Sequence, residues 1–200
     1  FDAHADLRDS YNGERFSHAS AIRRCLDYKN VSVISFGIRN ISESEIPFLR
    51  KNKSRINIFW AKDKSKWNLN NFKKLIKNKT VYLTFDVDGF DSSIMPATGT
   101  PEPGGLFWDE TLNLIKIASK NSNIVGADIN ELAPIKGFNS YNFLVAKLAY
   151  KILSYKYLYW NYIGLNVFKR ILKGISNRRA ARTLTVKSPR DNVNHGTPVP

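Results

Sequence analysis

Two short runs of acids and a histidine constrain this chain more than any other feature. Asp2-Ala3-His4-Ala5-Asp6 opens the sequence, and Asp86-Val87-Asp88 follows the apolar run Val81-Tyr82-Leu83. On an extended backbone, side chains two residues apart share a face. Asp2, His4 and Asp6 can therefore converge, and so can Asp86 and Asp88. A buried strand that ends in two acids is costly unless something neutralises them, and open α/β sheets place their sites at the carboxyl ends of strands. Carboxylates with an imidazole form a hard, mixed oxygen and nitrogen ligand set, suited to Mn²⁺ or a similar divalent ion. Shared carboxylates can bridge two such ions about 3.5–4 Å apart. Taken singly, an Asp-x-Asp is as easily a solvated turn or a helix cap. The two runs together point to a metal site.

Strand and helix patterns alternate along the chain, which predicts an α/β fold with a mainly parallel sheet covered by helices. Residues 1–5 read as the end of a strand. Ser17 is placed to cap a helix over residues 17–26, with Ala19, Ile22 and Leu26 on its apolar face. Residues 31–36 form a short β-rich segment ended by Gly37. Ser42 with Glu45 three positions on is a capping-box pattern for a helix reaching about residue 52, and Pro47 falls early enough in it to be tolerated. A strand over 56–60, a helix over 69–76 and a strand over 81–85 follow, the last delivering Asp86. The Pro- and Gly-rich stretch 89–105 is a loop of the length that usually carries function. Residues 108–119 read as a helix, 124–129 as a strand and 141–153 as an amphipathic closing helix.

Composition narrows the function classes. Hydrophobic residues make up 42% of the 200, enough for a sizeable core in one domain over residues 1–158. No apolar stretch is long enough for a membrane span and no signal peptide opens the chain. Cys25 is the single cysteine, so no intrachain disulfide forms and a reducing cytoplasm is expected. The net charge of +14 invites a nucleic-acid partner, but residues 161–200, with eight Lys/Arg against one acid, hold half of it. The remainder is spread over Lys/Asn/Ile-rich segments without interleaved aromatics, which argues for a solvated surface and against nucleic acid. Residues 159–200 read as a basic, disordered tail. A nucleic-acid tether there would show affinity that falls steeply with salt.

Three blocks resemble the ureohydrolases: arginase, agmatinase, formimidoylglutamase and relatives. The first is Asp2-Ala3-His4-Ala5-Asp6-Leu7-Arg8-Asp9 with Tyr11, Gly13 and Ser17-His18-Ala19. The second is Phe85-Asp86-Val87-Asp88-Gly89-Phe90-Asp91 with Pro96-Ala97-Thr98-Gly99-Thr100-Pro101 and Gly104-Gly105-Leu106. The third is Gly126-Ala127-Asp128-Ile129-Asn130-Glu131-Leu132-Ala133-Pro134. Gly37-Ile38-Arg39 also sits where the family often has that triplet. The resemblance covers residues 1 to about 155.

It implies a three-layer α/β/α fold of the arginase/deacetylase type and a site holding two Mn²⁺. Asp2 and Asp86 would bridge the ions, Asp6 would serve one and act in catalysis, and His4 and Asp88 would serve the other. His18 would move a proton near the leaving group, and Glu131 would hold the substrate guanidinium. The chemistry agrees. A guanidinium is planar and permanently charged, so a carboxylate is its natural partner. Its delocalised carbon is a poor electrophile, so water must be activated, as two shared divalent ions can do. The departing amine needs a proton, and a histidine titrates near neutral pH. Asp6-Leu7-Arg8-Asp9 looks like the agmatinase branch, with agmatine cleaved to putrescine and urea in polyamine biosynthesis. An arginase-type Asn for the amino-acid end of arginine is replaced by Arg8. The family implies a homo-oligomer with a small guanidino substrate.

There are departures. The family takes a further histidine from an upstream Gly-Gly-Asp-His-type motif that this chain lacks, so an N-terminal part carrying it is expected before Phe1. Ser92 stands where Pro is usual. The alternatives are an arginase, a hydrolase of another guanidino compound, and a truncated, non-catalytic paralogue.

Overall fold

The computed structural model describes residues 1–159. The basic segment expected at 159–200 thus lies, but for its first residue, outside the described residues. Two parallel ribbons carry the architecture. In the first, β1 (Val33–Phe36) pairs with β2 (Ile56–Phe59), Val33 opposite Ile56 and Phe36 opposite Phe59. In the second, β3 (Thr80–Asp86) pairs with β4 (Asn123–Asn130), Thr80 opposite Asn123 and Asp86 opposite Asn130, with one register shift after Val81.

Residues 1–5 join the ribbons. The Phe1 nitrogen donates to Thr84 O (3.0 Å) and Asp86 N–H donates to Phe1 O (2.9 Å), while Asp2 N–H donates to Phe36 O (3.1 Å). The chain's first residues therefore run between β3 and β1. No strand forms over these residues, contrary to expectation: the chain bends at Ala3 and makes only an isolated parallel bridge, His4 to Asn40.

The helices are α1 (Ala21–Cys25), α2 (Ile46–Lys51), α3 (Leu69–Ile76), α4 (Trp108–Asn121) and α5, helical over 139–159. Strand alternation sends Ile56 and Ile58 to a cluster with Leu7, Leu26, Ile38, Phe48 and Leu49, and Phe59 to the opposite cluster. That second cluster holds Phe36, Phe72, Phe85, Leu114, Ile115, Leu148 and Ile152. Helices thus cover both faces of β1 and β2, which is the three-layer arrangement. Phe36 stacks on Phe59 at 4.3 Å between ring centres and meets Phe72 edge-on at 4.7 Å. Each such ring, fully buried, stabilises the fold by about 1.5–3 kcal/mol.

Several local expectations need correction. The helix expected over 17–26 is a 3₁₀ turn (His18–Ser20) followed by the short α1. Ser17 makes no side-chain cap bond; its Oγ lies 3.2 Å from Ser20 Oγ. β1 starts later than residue 31 because Val31 N–H bonds to Tyr28 O in a turn. The closing helix begins before residue 141 and passes residue 153. The helix expected over 69–76 matches α3, and the Ser42–Glu45 capping box forms.

Candidate metal centre

The acids of both runs meet where β1, β3 and residues 1–6 end. β3 alternates Leu83 and Phe85 into the core, and Asp86 lies at its last position. The Asp86 carboxylate then accepts from Asp88 N–H (3.0 Å), which bends the chain into a 3₁₀ turn (Val87–Gly89) and turns Asp88 inward. Asp88 is 1% exposed. Its Oδ1 accepts from Ala3 N–H (2.9 Å), so the second run grips the first between Asp2 and His4. Asp2 Oδ1 accepts from His4 N–H at 2.6 Å. Gly89 allows this close packing, because a Cβ there would lie 2.9 Å from Asp2 N.

Two groups of ligand atoms result, each with its members within 4.8 Å of one another: Asp2, His4 and Asp88, and Asp86, Asp88 and Glu131. Asp88 belongs to both. Glu131, expected to hold substrate, falls beside Asp86 and Asp88. Asp6, expected as a ligand, lies in neither group, but it lines the same open cleft of about 210 Å³ as Asp2, His4, His18, Asp86 and Glu131. His18 is exposed on the cleft wall, its ring edge-on to Tyr11 at 5.6 Å, and Arg8 covers Tyr11 at 5.1 Å.

The electrostatics show what the cluster could hold. Burial, with the charges of Asp6 and Asp88, pushes the Asp2 carboxyl well above its usual range. Burial lifts Asp6 to about 7 and, with Asp88 and Asp2 beside it, Asp86 to about 8. The nearby Asp88 carboxylate raises His4 to about 9. Burial would also raise Asp88, but His4 and Ala3 N–H outweigh it and hold Asp88 low. His4 Nδ1 lies 2.9 Å from Asp88 Oδ2, an ion-pair distance without the alignment of a hydrogen bond, so that buried oxygen has no hydrogen-bond partner. Carboxylates crowded until burial and mutual repulsion raise the pKa values of Asp2, Asp6 and Asp86 fit a cation. The oxygen and imidazole donors fit a divalent ion. Backbone strain lies here too: Glu131 adopts φ of 60°, a region costly for such a residue, beside Asp6 at 53°, a type that tolerates it.

Residues to which sequence reasoning gave no role at the site hold the frame. Glu45 is buried and accepts from Leu7 N–H (2.7 Å) beside Asp6, as well as from Ser42 N–H (2.6 Å) in its capping box. Asp91 accepts from Gly104 N–H (2.6 Å) and Gly105 N–H (2.9 Å), closing the loop after Gly89. Asn40 donates to Glu102 Oε1 (2.9 Å), which lies 3.9 Å from His4 Nε2. The capping box was the one signal in the sequence that marked Glu45.

Strands covered by helices on both faces, with acids clustered at the strand ends, make this an α/β protein with a candidate metal centre. The sequence model of the arginase family matches residues 1–154, and the chain belongs to that family. Over 157 residues it is 40% identical to an N(1)-aminopropylagmatine ureohydrolase of Synechocystis, covering 77% of this chain and 50% of that protein. An agmatinase of Pyrococcus horikoshii is 37% identical over 155 residues, covering 76% and 53%. The structure of an agmatine ureohydrolase of Thermoplasma volcanium aligns with a TM-score of 0.68 at 32% identity, covering 80% of this chain and 54% of that one. The chain thus spans about half the length of the curated relatives it matches. Among the described residues no helix is long and apolar enough to cross a membrane.

Proposed function

We propose that this chain forms the metal- and guanidino-binding part of a ureohydrolase that cleaves agmatine to putrescine and urea with two Mn²⁺. The observation that carries the reading is the cluster of Asp2, His4, Asp86 and Asp88, in which the buried Asp88 belongs to both groups of ligand atoms. Asp2, His4, Asp6, Asp86 and Asp88 would hold the ions. When bound, two divalent ions activate a shared water and polarise the substrate.

The chain's own side chains do the rest. Glu131, on the cleft wall, receives the guanidinium through charge-assisted bonds. Asp6 faces the same cleft and takes a proton from the attacking water. His18 returns a proton to the departing amine. Water adds its oxygen to the guanidino carbon, the carbon–nitrogen bond to the butylamine chain breaks, and urea and the diamine leave.

The relatives named for N(1)-aminopropylagmatine favour a second reading. There the guanidino end is the same and the diamine tail is longer. By analogy with the family the protein works as a homo-oligomer in the cytoplasm. The test is urea release by Mn²⁺-loaded protein from agmatine, N(1)-aminopropylagmatine and arginine in parallel. Release from agmatine is expected, and release from arginine alone would overturn the agmatinase reading. Release from none, by a folded chain that binds Mn²⁺, would make it a non-catalytic member.

A further inference from the structure

We propose that Arg39 is a positioning residue for the metal centre, setting the spacing between the run that carries Asp2 and His4 and the run that carries Asp88. The proposal rests on the reading of that cluster as a metal site. Arg39 follows the end of β1, and its own N–H donates to Ala3 O (2.9 Å), between Asp2 and His4. Its side chain donates to carbonyl oxygens of three further stretches. Nη2 reaches Asp88 O (2.8 Å), Phe90 O (3.1 Å) and Glu102 O (2.6 Å), Nη1 reaches Gly37 O (2.9 Å), and Nε reaches Pro103 O (2.9 Å).

Among the described residues no carboxylate ion-pairs with it. The guanidinium is spent on backbone, and together with the N–H of the same residue it links both ligand runs. Because a backbone carbonyl is fixed to its residue, holding Asp88 O by the side chain and Ala3 O by the backbone N–H of one residue holds the Asp88 carboxylate against Asp2 and His4. The planar fork is what makes this possible. A lysine has a single point of charge and cannot meet the three stretches together. The same grip brings the Glu102 segment over His4, where Glu102 Oε1 stands 3.9 Å from Nε2.

Arg55 provides the control. It too clamps carbonyls, those of Val31 (2.9 Å), Leu26 (2.9 Å) and Tyr28 (2.6 Å), but at the amino ends of β1 and β2, touching no acid of the cluster. Mn²⁺ titration of the whole chain, scaled to the folded fraction read by circular dichroism, should separate the two roles. Arg39→Lys and Arg39→Met are expected to weaken Mn²⁺ binding about 10–100-fold, the range for lost support behind a metal ligand. Arg55→Met is expected to melt at lower temperature yet bind Mn²⁺ as the wild type does. Wild-type affinity in folded Arg39→Lys would overturn the proposal alone, as would an equal loss in Arg55→Met. A wild type that binds no Mn²⁺ would overturn the reading of the cluster and this proposal with it.

Discussion

Arg39 and Arg55 apply one device at opposite ends of the same ribbon, and their surroundings differ in kind. At the amino ends Arg55 closes the turn that leads into β1, and Asn52 N–H closes α2 on Phe48 O and Leu49 O. The left-handed position ahead of β3 is filled by Asn78 (φ 60°), a residue suited to it. At the carboxyl ends the equivalent conformation falls on Asp6, which tolerates it, and on Glu131, which is less suited to it. There the acids crowd until burial and mutual repulsion lift Asp6 to about 7 and Asp86 to about 8. One end is assembled for stability. The other stores repulsion and strain that a bound cation would relieve, which is the usual conflict between stability and function.

The largest expected effect tests that contrast directly. Asp86→Ala should lower urea release from agmatine by more than about 100-fold, beyond the loss of an outer supporting group. The same variant, metal-free at pH 8, should gain on the order of 1–3 kcal/mol of stability, because a buried like charge is gone. A denaturant titration showing a loss instead would mean the crowding is not destabilising.

Next in size is a pH trend. Asp6, Asp86 and His4 have folded pKa values raised to about 7, 8 and 9. Each therefore contributes stability that is present at low pH and is lost as pH rises through those values. The melting temperature of the metal-free protein should fall by on the order of 10 °C between pH 5 and pH 9. Saturating Mn²⁺ should flatten or reverse the fall, since the ligands bind when deprotonated. A flat metal-free profile would break the contrast between the two ends.

Arg55→Met should cost about 2–3 kcal/mol, as charged hydrogen bonds to three carbonyls are lost, and urea release per folded molecule should stay unchanged. Impaired turnover would show that the amino ends are not functionally silent. The smallest expected effect is Glu131→Gln, about a tenfold loss in kcat/KM with metal content unchanged. Loss of metal by elemental analysis would move Glu131 from the substrate to the ligands, where its place beside Asp86 and Asp88 would already put it.

Much of the centre was legible in advance because it is written in local spacing. Asp-x-His-x-Asp and Asp-x-Asp announce shared faces, and those residues line one cleft or lie directly behind it. α3 follows from its apolar period, and the Ser42–Glu45 box from its three-residue step. The break between the 3₁₀ turn and α1 was not legible. It depends on Ser20, whose side chain is fully buried, holding a non-helical backbone (φ −123°, ψ 3°), which no periodicity reports.

Residue types and their spacing were enough to mark which residues are chemically able to bind a cation and on which short segments they ride. How those segments meet is a matter of long-range packing. Ala3 N–H on Asp88, Leu7 N–H on Glu45 and Arg39 across Ala3, Asp88 and Glu102 all join residues far apart in sequence. Contacts of that kind arise from packing β3 beside the chain's first residues. The burial that packing imposes is what turns ordinary aspartates into a cluster in want of a cation.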